Sequence, residues 1–333
     1  MNQKDKDKDK DKDKDKDKDK DKDNDKDKDK DKERGKRQRM KKGIYNLNNH
    51  PITVTHWLEE LNPKGIDKIC LAFVGAGGKT SCMYYVAEEC ARAGERVLVT
   101  TSTHILAPVP QVASHNLEEV ELLWKQGRYA VIGKECRDAD IEKKGENAGI
   151  RAQGENFGIR TQGEAAPSQI LNIDSNAQSS YEELYPAIRK WSTPDSDLFQ
   201  TSYQKADIIL IEADGSRGKP CKARRPYEPV IWEEVTHIIS VIGMSALGQT
   251  IEKGSYPPEL VAQVLNKDKA QVLSLQDLST LTCDYWKNAS LERFEPIVLI
   301  NQVDDTKKHT QAMELANMIQ MSGVKMLYLS CFS

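Results

Sequence analysis

The sequence has no run of 18 apolar residues and no apolar segment near its first residues. That argues against a membrane-spanning helix and against a secretory leader. It has no CxxC pair. Its seven cysteines, Cys70, Cys82, Cys90, Cys136, Cys221, Cys283 and Cys331, are scattered and odd in number. A disulfide framework and a structural zinc site both lack the spacing they need, so reduced thiols and a cytoplasmic location are expected. A strong charge of either sign is also missing: the formal net charge is −3 over 333 residues.

That small charge averages two unlike parts. From Lys4 to Lys32, 14 Lys and 14 Asp alternate, interrupted only by Asn24. A helix would place like charges four residues apart, and a strand would have no apolar face to bury. Nothing hydrophobic offsets the chain entropy, so residues 1–43 are expected to be a disordered tail. The basic stretch from Glu33 to Lys42 reads as a solvated flank, with no specific nucleic-acid partner. Setting aside 20 Lys/Arg and 15 acidic residues of these two stretches leaves 29 and 37, a body of net charge −8.

Residues 44–333 are of ordinary globular composition and long enough to bury a large core. Apolar runs at 69–74, 96–101, 128–133, 207–212, 237–243, 296–301 and 325–329 predict strands. Helical spacing predicts helices at 53–61, 81–93, 117–125, 181–191, 258–265, 275–287 and 307–321. Strands alternating with helices define an α/β fold with a largely parallel sheet flanked by helices. Between about 134 and 180 the pattern fails. There GENAGIRAQ (145–153) is followed by GENFGIRTQ (154–162), a duplication too short and polar for a solenoid, and a low-complexity insertion is expected.

The strongest chemical signal follows the first buried strand: Gly75, Ala76, Gly77, Gly78, Lys79, Thr80 and Ser81. Glycines between a strand and a helix let backbone N–H groups converge on phosphate oxygens, with Lys79 as a point charge and Thr80 as a hydroxyl for Mg²⁺. The loop is shorter than a full Walker A pattern, with Phe73 where that pattern wants its first glycine. The expectation is a P-loop NTPase-like fold using Mg²⁺ with ATP or GTP. Glu212 and Asp214, at the end of a second buried strand, are the candidate metal ligands with Thr80. Arg217 in the glycine loop after them could reach a γ-phosphate or an anionic substrate. Asn301 and Asp304, in AsnGlnValAsp, resemble a guanine-reading motif with Gln302 in place of a lysine; the alternative is a turn into a helix capped by Asp304 or Asp305. In ThrThrSerThrHis (100–104) the hydroxyls are candidates for a metal or phosphate shell, and His104 for proton transfer. Cys221 is a candidate nucleophile if Lys222, Arg224 and Arg225 depress its pKa, and that cluster could instead hold an anion.

These residues, together with VLVTTSTHI (97–105), IEADGSRGKPCKA (211–223), EPVI (228–231), VIGMSALG (241–248) and LINQVD (299–304), resemble the selenium-dependent hydroxylase accessory proteins of the YqeC family. The resemblance covers roughly 65–133 and 180–333. It implies a nucleotide-using accessory step on or near a molybdenum cofactor, with a selenium-dependent molybdenum hydroxylase as partner. Two alternatives stay open: a non-catalytic carrier gripping a phosphorylated molybdopterin-type dinucleotide, and an ATP-dependent ligase-like enzyme.

Overall fold

The structure, a computed structural model, describes residues 40–137 and 188–332. The Lys-Asp tail and the nine-residue repeats lie outside the described residues. Among these the chain forms a ten-stranded sheet with helices on both faces.

The central strand is β3 (Ile69–Gly75). Its apolar run is continuous because both of its faces are covered. Leu71 and Phe73 point into one core layer, Cys70, Ala72 and Val74 into the other, and all five are fully buried. β10 (Ile208–Glu212) and β12 (His237–Gly243) flank it, both parallel, with Leu210 opposite Leu71 and Val241 opposite Gly75. Beyond β10 come β4 (Val97–Thr101), β7 (Ala130–Ile132) and β6 (Ala113–Ser114), all parallel. Beyond β12 come β14 (Ile297–Asn301) and β15 (Met326–Cys331), also parallel. β1 (Gly43–Tyr45) and β2 (Pro51–Ile52) close that edge antiparallel.

On one face lie α1 (Val54–Leu61) and α2 (Lys79–Arg92), which bury Trp57, Leu58, Met83 and Val86 against Phe73, Leu210, Val241 and Leu299. The buried residues of α2, Cys82, Met83, Val86, Ala87, Cys90 and Ala91, recur every three or four positions, as one helix face requires. Its end is fixed by Gly94 at φ +95, with the Gly94 and Glu95 N–H groups returning to Ala91 and Cys90. On the other face, α3 (Leu117–Lys125), α4 (Ser196–Lys205) and α7 (Leu275–Trp286) cover Leu98, Ile209, Ile211 and Ile238. α5 (Ile251–Gly254), α6 (Pro258–Leu265) and α8 (Thr306–Met321) join α7 over Ile242, Val298, Ile300 and Leu329.

Two expectations change. Residues 188–192, read as the end of a helix, form β9 (Ile188–Ser192), which pairs antiparallel with β5 (His104–Leu106) and β8 (Lys134–Arg137). Pairing decides this: Trp191 is 2% exposed and faces Ile105 and Glu135 across the small sheet. Residues 181–187 of the expected helix lie outside the described residues, and the first described helix after β9 begins at Ser196. Ordered chain also reaches outside the expected limits. Met40 N–H donates to the Asp304 carbonyl at 3.1 Å, Ile44 is fully buried in β1, and β8 occupies the first residues of the expected insertion.

The chain leaves β3 toward β4 and later crosses to β12 on the opposite side. The strand order therefore reverses at β3, and the crevice outside the strand ends there is where parallel sheets bind ligands. The glycine loop lies in that crevice.

Candidate phosphate-binding site

Three glycines of the loop have positive φ: Gly75 at +86, Gly77 at +90 and Gly78 at +108. Gly77 is the tightest. A β-carbon there would lie 2.3 Å from the Gly243 nitrogen and 2.7 Å from the Pro220 carbonyl oxygen, both backbone. The loop is thus pressed between β12 and the segment after Asp214.

The loop spends its own amides internally. Gly75 N–H donates to Asp214 Oδ2 (2.9 Å), Ala76 N–H to the Val241 carbonyl (2.9 Å) and Gly77 N–H to the Lys219 carbonyl (3.2 Å). The amides left without an acceptor are therefore those that open α2. The first four N–H groups of a helix have no intrahelical acceptor, and here they belong to Gly78, Lys79, Thr80 and Ser81. The first intrahelical bond runs from Cys82 to the Gly78 carbonyl at 2.9 Å. The helix dipole adds partial positive charge at the same point.

Behind these amides sits a buried ionic cluster. Lys79 Nζ donates to the Gly75 carbonyl (2.8 Å) and pairs with Asp214 Oδ1 (3.1 Å) and Glu212 Oε1 (3.8 Å). Burial alone would lower its pKa, but the two carboxylates outweigh burial and hold it charged above the ordinary lysine value. Asp214 is fully buried. Its Oδ2 accepts from Gly75 N–H and from Tyr285 Oη (2.6 Å), and pairs with Lys222 Nζ (3.0 Å). Burial works against its ionisation, yet Lys79 and Lys222 win and keep it below the ordinary aspartate range. Burial and the Asp214 charge keep the Tyr285 hydroxyl protonated far above its usual range, so Tyr285 is the donor.

Glu212 differs. Its Oε2 accepts from Thr80 Oγ1 at 2.7 Å, and burial pushes its carboxyl above the ordinary range against the pull of Lys79. Two neighbouring carboxylates are thus driven apart, one firmly ionised and the other more readily protonated. Lys222 also donates to Glu228 Oε2 (2.7 Å) and the Gly215 carbonyl (2.9 Å). The sequence gives no sign that Lys222 and Tyr285 partner Asp214, or that Glu228 joins them through Lys222. Tyr285 lies in a helical apolar pattern and Glu228 in an irregular segment, so no local signal marks them.

The other candidates are distributed as follows. Asn301 Nδ2 donates to the Gly77 carbonyl at 2.7 Å, and its Oδ1 accepts from Ser330 Oγ at 3.0 Å, so Asn301 is tied to the glycine loop. Asp304 receives Lys308 Nζ on Oδ2 (2.6 Å) and the Cys331 thiol on Oδ1 (3.5 Å); Asp305 is the cap of α8, accepting from Lys308 N–H. Gln302, at φ +65, accepts from Ser245. Arg217 is exposed, with its guanidinium over the Tyr256 ring at 5.2 Å. His104 opens β5, in the small antiparallel sheet opposite Ser192.

Two expectations are corrected. Thr100, Thr101 and Ser102 spend their hydroxyl protons on the backbone carbonyls of Ile132, Glu212 and Val230 and so have none to give a phosphate, whereas the Thr103 hydroxyl is buried without a hydrogen-bond partner. Cys221 is not an activated thiolate. Burial pushes its thiol up to about 12, and the neighbouring Lys222 is turned toward Asp214 and Glu228. Thiol titration of the native protein checks this. Among the described cysteines only Cys136 and Cys283 are not buried, so they should react quickly with an aromatic disulfide at pH 8 while Cys221 reacts only on unfolding. Rapid labelling of Cys221 would contradict the assignment.

The elements define an α/β protein whose charged centre is a glycine loop at the end of the central parallel strand. The family model described as "YqeC protein" matches residues 71–257, and the chain belongs to the YqeC family. A curated relative, "Uncharacterized protein YqeC" of Escherichia coli (strain K12), is 26% identical over 190 residues, covering 54% of this chain and 54% of that protein. The chain spans about half the length of this curated relative. No helix among the described residues is long and apolar enough to cross a membrane.

Proposed function

We propose that the protein binds a nucleoside triphosphate with Mg²⁺ at the start of α2 and acts as a nucleotide-using accessory factor. The observation that carries this reading is the grouping of Lys79, Thr80 and Glu212 directly behind the amides of Gly78–Ser81. A terminal phosphate would rest on those amides and draw the Lys79 ammonium forward from Asp214.

The donor set suits Mg²⁺. Thr80 and Glu212 offer a hydroxyl and a carboxylate, hard oxygen ligands 2.7 Å apart. Among the described residues no group of three or more His, Cys, Asp or Glu could hold a metal by itself. Mg²⁺ typically takes one or two protein oxygens and completes its shell with phosphate and water. Bound there, the ion would neutralise charge on the phosphates. Asp214 is enclosed by Lys79, Lys222, Tyr285 and Gly75, so its role in this reading is to hold the lysines and the loop rather than the metal. The cluster joins two lysines to three carboxylates (Glu212, Asp214 and Glu228), a formal sum of −1. A divalent cation would offset the charge that these carboxylates place beside a polyphosphate.

Phosphoryl transfer asks mainly for positioning and charge neutralisation, which these groups supply. The accessory role toward a selenium-dependent molybdenum hydroxylase or its cofactor rests on the family resemblance. Asp304 is engaged by Lys308 and the Cys331 thiol, so we infer no preference for guanine from it.

A panel of ATP, GTP, CTP and a molybdopterin dinucleotide, each with and without Mg²⁺, tests the proposal by thermal unfolding. A ligand at 100 times its Kd adds about 2.7 kcal/mol of stability. Stabilisation by a triphosphate only when Mg²⁺ is present is expected. Stabilisation by the molybdopterin dinucleotide alone would replace it with the carrier reading.

A further inference from the structure

The segment between Asp214 and Glu228 carries positive charge that the nucleotide reading does not use. Arg217 sits at φ +48 between Gly215 and Gly218, with its side chain exposed. A non-glycine residue held there is a strained placement of the kind that clusters at ligand sites. Its guanidinium carbon lies 5.2 Å from the centre of the Tyr256 ring, and that of Arg225 lies 4.8 Å from the same ring. Arg225 Nη2 also donates to the Tyr256 hydroxyl. Tyr256 ends β13 (Ser255–Tyr256), which pairs with β11 (Cys221–Lys222) so that Tyr256 faces Lys222 in register. One strand pairing therefore separates this ring from the buried cluster. The same segment touches the glycine loop, since Gly77 N–H donates to the Lys219 carbonyl.

These arginines are short of counter-charge. Glu228 Oε1 lies 3.7 Å from Arg225 Nη1, but Glu228 Oε2 is already taken by Lys222. Among the described residues, the Arg217 guanidinium makes no hydrogen bond or ion pair and lies over the Tyr256 ring, and Arg224 Nε is buried without a hydrogen-bond partner. A guanidinium stacked on an aromatic face keeps its N–H edge available, and that edge matches carboxylate or phosphate in a two-bond fork. In a body of net charge −8, such a cluster concentrates anions locally, not at long range.

We propose that Arg217 and Arg225, held on the Tyr256 ring, together with the adjacent Arg224, form a second oxyanion subsite that receives the acidic group of a co-substrate beside the phosphate loop. This deepens the nucleotide reading and rests on it for the identity of the neighbouring ligand: the protein would bring two substrates together and not hydrolyse one alone.

Calorimetric titration of the full chain with pyrophosphate and Mg²⁺ tests it in wild type, in Lys79→Ala and in Arg217→Ala/Arg224→Ala. Wild type should show two binding events. The arginine variant should lose or weaken one of them by about ten- to a hundredfold, the range for hydrogen bonds to charged groups, and Lys79→Ala should lose the other. Arg217→Ala alone, at an exposed position, should move the same event in the same direction if the double variant does not fold. Two events retained in the arginine variants would overturn the subsite, as would a single event lost only with Lys79→Ala, or no binding in wild type. A single event lost only in the arginine variants would support the subsite and overturn the nucleotide reading. Citrate in place of pyrophosphate separates the sources: citrate binding that depends on the arginines assigns a carboxylate-bearing co-substrate, and its absence a phosphate-bearing one.

Discussion

Asp214→Ala is expected to destabilise the fold by about 3–5 kcal/mol, the range for removing one partner of a buried ion pair. The carboxylate is fully buried and receives Gly75 N–H, the Tyr285 hydroxyl, Lys79 and Lys222. Removing it leaves Lys222 with Glu228 and Lys79 with Glu212, and takes the acceptor from the first amide of the glycine loop. Asp214→Asn keeps the volume and an acceptor, so its loss should be smaller. Lys222→Met, alone and added to Asp214→Ala, completes a double-mutant cycle that reads the coupling of the two charges directly. The folded pKa of Asp214 lies below its unfolded value. Its stabilisation is therefore complete above the ordinary aspartate range and is lost as pH falls through the lower folded value. Denaturant unfolding of Asp214→Ala should accordingly show a flatter acid limb than wild type. Strict additivity in the cycle, or an unchanged acid limb, would mean that Asp214 does not anchor the cluster.

The second large effect is expected at Gly77. Its φ of +90 disfavours any side chain, and a new β-carbon would meet the Gly243 backbone at 2.3 Å and the Pro220 carbonyl oxygen at 2.7 Å. Left-handed backbone costs about 1–2 kcal/mol for an L-residue, and forced overpacking about 1–3 kcal/mol. Gly77→Ala should therefore lose about 2–5 kcal/mol or shift the loop off β12. Gly78→Ala is the informative contrast. There the close atom is Asn301 Nδ2 at 2.4 Å, the end of a side chain, which can move at the expense of its bond to the Gly77 carbonyl. Equilibrium denaturation should rank Gly77→Ala below Gly78→Ala, and the reverse order would show that the backbone contacts at Gly77 give way more easily than described.

The parts of the fold that read directly from the sequence are those where burial on both faces leaves an unbroken apolar run. β3, β10, β12 and β14 are of this kind, and so is the loop that β3 feeds into α2. The helix covering 117–125 shows its spacing as plainly. What the sequence hides is set by partners far along the chain. β9 looks helical in isolation and becomes a strand because Trp191 is covered by Ile105. β1 has three residues and gains its identity only by pairing with β15. At the site, the glycine loop, Lys79, Thr80, Glu212 and Asp214 stand out because a strand end and a helix start announce them. Lys222, Glu228 and Tyr285 do not, since Lys222 and Tyr285 meet Asp214 from 8 and 71 residues away and Glu228 joins them only through Lys222. In sequence the lysine after Cys221 reads as an activator of that thiol, but the buried Asp214 and Glu228 claim its charge instead. The hydroxyls at 100–102 read as available because sequence does not show which carbonyls an end-of-strand threonine or serine will satisfy.

The central claim is that the amides opening α2, with Lys79, hold the phosphates of a Mg²⁺-nucleotide. Equilibrium dialysis of labelled ATP and GTP against wild type and Lys79→Ala, with the variant first shown to be folded, measures it most directly. Mg²⁺-dependent binding of at least one nucleotide by wild type, lost in Lys79→Ala, is the predicted result. Nucleotide binding retained undiminished in folded Lys79→Ala, or absent from wild type at millimolar ligand with Mg²⁺, would contradict it.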